Sequence, residues 1–359
     1  MSELRDLITR PAAGRGALVL LASCAIAALA ACGSSATSGT ASASAAAAPT
    51  TNASTANPTA AAAPTASAPT TSVPTAGAPA PSTAVPGATA GPQVTGTPIQ
   101  VAATADGHVA YRELGTGSPL VLITGFSATM NDWAPAFVDA LAVHHRVIEL
   151  DNAGVGQTTA VTPLTITAMA DQTSALLTTL HIGRASVLGW SMGGMVAQAL
   201  AVGHPDQVSR LVLAATQPGT GKSLPVPAAA AAALISPNVL TLLGALFPAN
   251  QMAAALAYAE STLTYPHPYK VSAAVLSAQG VAVEQWIAGD DQDGKGIAGL
   301  RIPTLVADGD EDRVDPLAND RMLAATIPGA ELVTYPDAGH AFLFQDEAAF
   351  VPRLLAFLR

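Results

Sequence analysis

The stretch Gly189-Trp-Ser-Met-Gly193 constrains this chain more than any other. An apolar run, Ala185 to Leu188, precedes it, and a helix-like run, Met195 to Val202, follows. An apolar strand passing through Gly-x-Ser-x-Gly into a helix marks a serine on a sharp strand-to-helix turn. Such a serine takes a strained backbone, and small neighbours leave room for it. The turn lifts the hydroxyl clear of the sheet, and the helix N-terminus beneath it favours developing negative charge. The spacing predicts Ser191 as a nucleophile.

The first hundred residues cannot build a core. Met1 to Arg15 carries Arg5, Arg10 and Arg15, and an apolar run from Ala17 to Ala31 follows, ending in Leu29-Ala-Ala-Cys32. A basic segment, a short apolar segment and small residues make a secretion signal, and the apolar run is short for a span of roughly 20 residues. It resembles a bacterial lipoprotein signal. That resemblance implies removal of residues 1–31, a lipid on Cys32, and anchoring to the outer face of the cell membrane. Leu21-Ala-Ser-Cys24 is a rival tetrad with too short an apolar segment before it. Cys24 and Cys32 are the two cysteines, so the exported domain would hold no thiol, which excludes cysteine nucleophiles and thiolate metal sites.

Residues 32–97 are almost wholly Ala, Thr, Pro, Ser and Gly, and no charged residue occurs between Arg15 and Asp106. A stretch without large side chains cannot offset the entropy of ordering its backbone, so a disordered tether is expected there. The formal net charge is −10, with lysine only at positions 222, 270 and 295 and no basic run. Nucleic acid is excluded as a partner on that basis.

From residue 98 to 359 apolar runs of strand length alternate with helical patterns, which predicts an α/β fold with a mostly parallel sheet. Ile99–Ala103 and His108–Glu113 read as a hairpin. Leu120–Thr124, Arg146–Leu150, Ala185–Leu188, Val208–Ala214, Ile302–Ala307 and Ala330–Tyr335 read as strands. Trp133–Ala142, Ile166–Leu180, Ala318–Thr326 and Glu347–Leu358 read as helices. Residues 217–300 break the alternation with short Ala-rich helices separated by prolines.

In this order Asp106-Gly-His-Val-Ala-Tyr-Arg-Glu113, Pro119-Leu-Val-Leu-Ile-Thr-Gly-Phe126, Asp151-Asn-Ala-Gly-Val-Gly156, the serine turn, Pro303-Thr-Leu-Val-Ala-Asp-Gly-Asp-Glu-Asp312 and Ala338-Gly-His340 follow one another. The chain thereby resembles the α/β-hydrolase superfamily over residues 98–359. The resemblance implies a Ser, acid, His chain order and a helical cap in residues 217–300. Large side chains among the cap alanines, Phe247, Met252, Tyr258 and Trp286, suggest an apolar pocket.

A serine hydroxyl needs a base, and the base an orienting carboxylate. His340, on the turn after the last strand, is the expected base. Among the other histidines, His144 and His145 read as a surface turn, His108 and His181 as connections, His204 as structural, and His267 as a cap residue able to line the pocket. Chemistry alone would accept Asp308, Asp310, Asp312 or Asp315 as the acid. The family's Gly-x-x-Asp pattern selects Asp312, with Asp310 next and the others read as a solvated loop. The oxyanion donors implied are the backbone N–H groups of Met192 and Phe126. Thr124-Gly125 replaces the family's usual His-Gly in that loop, which puts the loop's orientation in question.

No metal or organic cofactor is expected, since clustered ligand spacing and a dinucleotide-type glycine loop are missing. The expected activity is hydrolysis of a small to medium apolar carboxylic ester through an acyl-enzyme. The alternatives are a non-catalytic surface binding protein, an acyl transferase, a C–C hydrolase, or a cofactor-free haloperoxidase-like enzyme using the same triad.

Overall fold

The structure is a computed structural model and describes residues 91 and 93–359. The expected signal peptide, Cys32 and nearly all of the tether lie outside the described residues. Packed structure begins before the expected boundary at residue 98. Val94 sits in a single 3-10 turn, is fully buried, and donates its N–H to Asp139 Oδ1 at 2.7 Å.

The chain opens with the hairpin β1 (Gln100–Thr104) and β2 (Gly107–Leu114), then β3 (Ser118–Ile123), α1 (Pro135–Ala142) and β4 (His145–Leu150). Next come α2 (Ile166–Thr179), β5 (Ala185–Trp190), α3 (Met192–Gly203) and β6 (Val208–Ala214). The inserted helices are α4 (Ala228–Leu234), α5 (Val239–Leu246), α6 (Met252–Thr262), α7 (Ala273–Ala288) and α8 (Gln292–Lys295). The chain closes with β7 (Thr304–Gly309), α9 (Ala318–Thr326), β8 (Glu331–Tyr335), α10 (Phe342–Gln345) and α11 (Glu347–Phe357).

The strands form one eight-stranded sheet in the order β1-β2-β4-β3-β5-β6-β7-β8. The β1–β2 and β2–β4 pairs are antiparallel, and every pair from β4 through β8 is parallel. Covered on both faces, the central strands read as continuous apolar runs rather than alternating ones. Successive side chains still point to opposite faces. Val121, Ile123, Val187 and Leu213 pack under α2 and α3, while Leu120, Leu122, Leu188 and Val212 pack against α1 and α11.

Three expectations need correction. The helix expected from Trp133 starts at Pro135, because proline lacks the N–H that a first helical residue does not use. Trp133 instead follows a 3-10 turn, Met130–Asp132, capped by reciprocal bonds between Thr129 and Asp132. His145 lies within β4 and is buried, its Nδ1 beside the Ser118 carbonyl at 3.3 Å, and His108 lies in β2. The cap's large aromatics do not declare a pocket. Trp286 and Phe247 are buried in the two main cores, and Tyr258 stacks on Phe344 at 4.9 Å.

Candidate active site

Ser191 sits between β5 and α3 with φ 58° and ψ −125°, a backbone that few non-glycine residues adopt. Its N–H donates to the Ala214 carbonyl at 2.9 Å, and its carbonyl accepts from Gly194 N–H at 2.8 Å and Thr216 Oγ1 at 2.7 Å. These bonds hold the strained conformation in place. A Cβ on Gly189 would run into the Gly193 carbonyl, and one on Gly193 into the Ile123 carbonyl. Gly189 therefore lets β5 close on the start of α3, and Gly193 lets the turn press against β3.

On the other side lies the loop after β3. A Cβ built on Gly125 would stand 3.0 Å from Ser191 Cβ and 3.5 Å from its Oγ. Thr124 is fully buried, and its carbonyl accepts from Asn152 Nδ2 at 3.0 Å. Asn152 thus holds the loop from a position where no histidine is required. The cap holds the same loop further along. Ser127 donates its N–H to Gln279 Oε1 at 3.1 Å and its hydroxyl to the Leu234 carbonyl at 3.3 Å. Among the described residues, neither Phe126 N–H nor Met192 N–H donates a hydrogen bond within the protein. Met192 is the first residue of α3, where the helix end adds positive partial charge.

His340 follows β8 on the loop before α10, and its Nδ1 lies 2.7 Å from Asp312 Oδ2. Both side chains are buried. Asp312 Oδ1 accepts from the N–H groups of Val314 at 2.6 Å and Asp315 at 2.9 Å. Oδ2 is thereby left to face the His340 ring. The loop bearing His340 is fixed by Trp190 Nε1, which donates to the His340 carbonyl at 2.9 Å, and by Ala341 N–H on the Leu246 carbonyl at 3.0 Å. The Trp190 and His340 rings lie 5.8 Å apart. Ser191 Oγ and the His340 ring are not hydrogen-bonded to one another among the described residues, and such bonds often tighten only when substrate is in place.

The other acids diverge. Asp310 is exposed. Asp308 and Asp315 are buried rather than solvated, grouped with Asp320 behind the Asp312 loop. Burial first pushes all three carboxyls well above the ordinary range; the charges of Asp320 and Asp312 add to it at Asp308 and Asp315, and that of Asp312 at Asp320. Asp320 lies near Asp308 and the Thr216 backbone, yet neither of its oxygens forms a well-shaped hydrogen bond.

His267 lines a separate cavity of about 650 Å³, with Arg112, Asp151, Tyr269 and the Thr95–Ile99 segment. None of Ser191, Asp312 or His340 lines it. There burial raises Asp151 to about 6 against the Tyr269 hydroxyl at 2.7 Å, and raises Glu149 to about 7 despite Arg112 at 2.9 Å. Among the described residues, no three His, Cys, Asp or Glu side chains group as metal ligands would.

Three supports of the site escape a reading of residues alone: the Trp190 N–H, Asn152 and Gln279. Asn152 lies inside the quoted Asp151–Gly156 motif and had a signal there. Trp190 and Gln279 reach partners 150 and 152 positions away, which no local pattern announces.

The family model described as the alpha/beta hydrolase fold matches residues 118–347. A Chromobacterium violaceum pimeloyl-[acyl-carrier protein] methyl ester esterase is 31% identical over 252 residues, covering 67% of this chain and 94% of that protein. A Mycobacterium tuberculosis protein, provisionally named a non-heme bromoperoxidase, is 31% identical over 281 residues, covering 70% and 97%. An α/β-hydrolase fold protein from Chitinophaga pinensis superposes with a TM-score of 0.66 at 25% identity, covering 74% of this chain and 98% of that one. With its sheet order, its serine turn and a family match spanning most of residues 98–359, the chain is an enzyme of the α/β-hydrolase fold family.

Proposed function

We propose that the protein is a serine hydrolase that cleaves small to medium carboxylic esters through an acyl-enzyme. The buried Asp312–His340 bond at 2.7 Å, with the His340 loop tied to Trp190 next to Ser191, is the observation that carries this reading. Asp312 accepts from Nδ1–H, which leaves Nε2 without a proton and able to act as base. Ser191 Oγ attacks the ester carbonyl and its proton passes to His340. The carbonyl electron pair moves to oxygen, where the free Met192 and Phe126 N–H groups would receive it. Collapse expels the alcohol, which takes the proton from His340. Water then attacks the acyl-Ser191 ester by the same route and releases the acid.

A fluorophosphonate probe tests the reading. Wild type should label and Ser191→Ala should not, and p-nitrophenyl esters should be turned over only by the protein that labels. Wild type labelling no better than Ser191→Ala would leave a binding protein of the same fold.

We further propose that residues 1–31 direct export and that Cys32 carries the lipid anchor. The support is the arginine-led segment and the Leu29-Ala-Ala-Cys32 tetrad. Cys32→Ser should move the protein from the membrane fraction to the medium, and continued retention on the membrane would count against lipidation.

A further inference from the structure

We propose that Ser127 is a positioning residue: through it the cap sets the aim of the Phe126 N–H in the oxyanion hole. The inference rests on the serine-hydrolase reading above and concerns what governs that same site.

The loop after β3 is fixed at both ends by the body of the molecule. The Thr124 carbonyl accepts from Asn152 Nδ2 at 3.0 Å, and the Met130 N–H donates to Asp151 Oδ1 at 2.8 Å. Residues 125–129 bridge these anchors. Ser127 takes φ 61°, in the left-handed region that non-glycine residues rarely enter. Such a conformation persists only where the surroundings over-determine it. Here the surroundings are the cap. Ser127 donates its N–H to Gln279 Oε1 of α7 at 3.1 Å. Its hydroxyl donates to the carbonyl of Leu234, the last residue of α4, at 3.3 Å.

With both ends of the loop held, a rotation at Ser127 has to be absorbed by the residues beside it. On one side these are Phe126, whose N–H donates to nothing among the described residues, and Gly125, which packs on Ser191. Loss of the two cap bonds would free Ser127 to leave the left-handed region and would turn the Phe126 donor away from the reacting carbonyl. A tie that only fastened the cap to the body would not need a strained residue. The cap has such ties elsewhere, from the Tyr258 hydroxyl to the Asp132 carbonyl at 2.9 Å and from the Tyr265 hydroxyl to the Trp133 carbonyl at 3.0 Å. The bonds at Ser127 differ in falling on the residue next to the oxyanion donor.

The test compares p-nitrophenyl butanoate with its thiono analogue, in which sulfur replaces the carbonyl oxygen. Sulfur is a weak acceptor, so well-aimed donors favour the oxygen ester and badly aimed ones discriminate less. A loss of stability or a displaced base slows both esters alike, whereas the aim of the hole moves their ratio. Gln279→Leu removes the acceptor of the Ser127 N–H, and the oxygen-to-sulfur ratio of kcat/KM should fall roughly threefold to tenfold, about one hydrogen bond. Gln279→Glu keeps an oxygen for that N–H, with burial holding the new carboxyl protonated, and should restore the wild-type ratio. A ratio unchanged in Gln279→Leu, or equally low in Gln279→Glu, would overturn the proposal. If Gln279→Leu does not fold, Ser127→Ala decides, since it removes only the hydroxyl bond to Leu234. A fall of roughly twofold in its ratio supports the role, and an unchanged ratio overturns it. Fluorophosphonate labelling of Ser191 is run on the same samples. Wild type that fails to label sinks the hydrolase reading itself, whereas labelling with an unmoved ratio sinks only the role of Ser127.

Discussion

Trp190 Nε1 donates to the His340 carbonyl at 2.9 Å, so the residue before the strained serine holds the backbone of the histidine. The bond crosses from the end of β5 to the loop after β8, and the Trp190 ring packs against Phe344 at 5.2 Å beneath it. Trp190→Phe keeps most of that packing and removes the N–H. The expected result is a fall in kcat/KM of roughly fivefold, about one hydrogen bond. Fluorophosphonate labelling should slow in proportion. An unchanged rate would mean the histidine loop is held by the Ala341–Leu246 bond alone.

Asp312→Asn tests the orienting acid without changing shape. The Val314 and Asp315 N–H groups would keep the amide oxygen, turning the Asn NH2 toward His340 Nδ1. Two donors cannot face each other, so the imidazole would move its proton to Nε2, away from the role of base. A loss of about 10⁴-fold in kcat is expected. Asp310→Asn, at an exposed position, should change little.

Gly193→Ala would place a methyl group against the Ile123 and Thr124 carbonyls. Those oxygens belong to β3 and the loop after it and cannot retreat as a flexible side chain would. A loss of about 3 kcal/mol in unfolding free energy is expected, read from the denaturant midpoint, together with loss of labelling. Full stability in this variant would show that the turn sits farther from β3 than described.

The buried group Asp308, Asp315 and Asp320 makes stability depend on pH. In the unfolded chain each carboxyl titrates near 3.8, and in the fold each holds its proton to higher pH. The folded state therefore binds more protons above about pH 4, and stability falls as pH rises from there through the folded values. Asp320→Asn removes one of the three without altering size. Its Tm should exceed that of wild type by about 2–4 °C at pH 8 and match it near pH 4. The same shift at both pH values would refute titration as the cause.

The core strands were legible because parallel strands covered on both faces must be apolar throughout, and the runs around Val121, Val187, Leu211 and Val306 are. Helix ends were less so, since a turn capped by Thr129 and Asp132 displaced the start of α1. The aromatic residues of the cap misled for a physical reason. Phe247, Tyr258 and Trp286 look alike whether they line a pocket or fill a core, and burial decides between the two.

By itself the sequence determined the serine turn, because glycine at 189 leaves room for the Gly193 carbonyl where β5 turns straight into α3, and that demand is local. It determined the chain order of strands and helices, since hydrophobic periodicity is local as well. Residue chemistry left four neighbouring aspartates open and only the family pattern singled out Asp312; contact with His340 is a matter of tertiary structure, because all four carry the same carboxyl and differ only in where β7 and β8 deliver them. It also decided that Thr124 can stand in the loop after β3, because Asn152 arrives from the end of β4 to hold its carbonyl. Hydrogen bonds between elements about 30 to 150 residues apart depend on how the sheet brings strand ends together, and that proximity exists only in the fold.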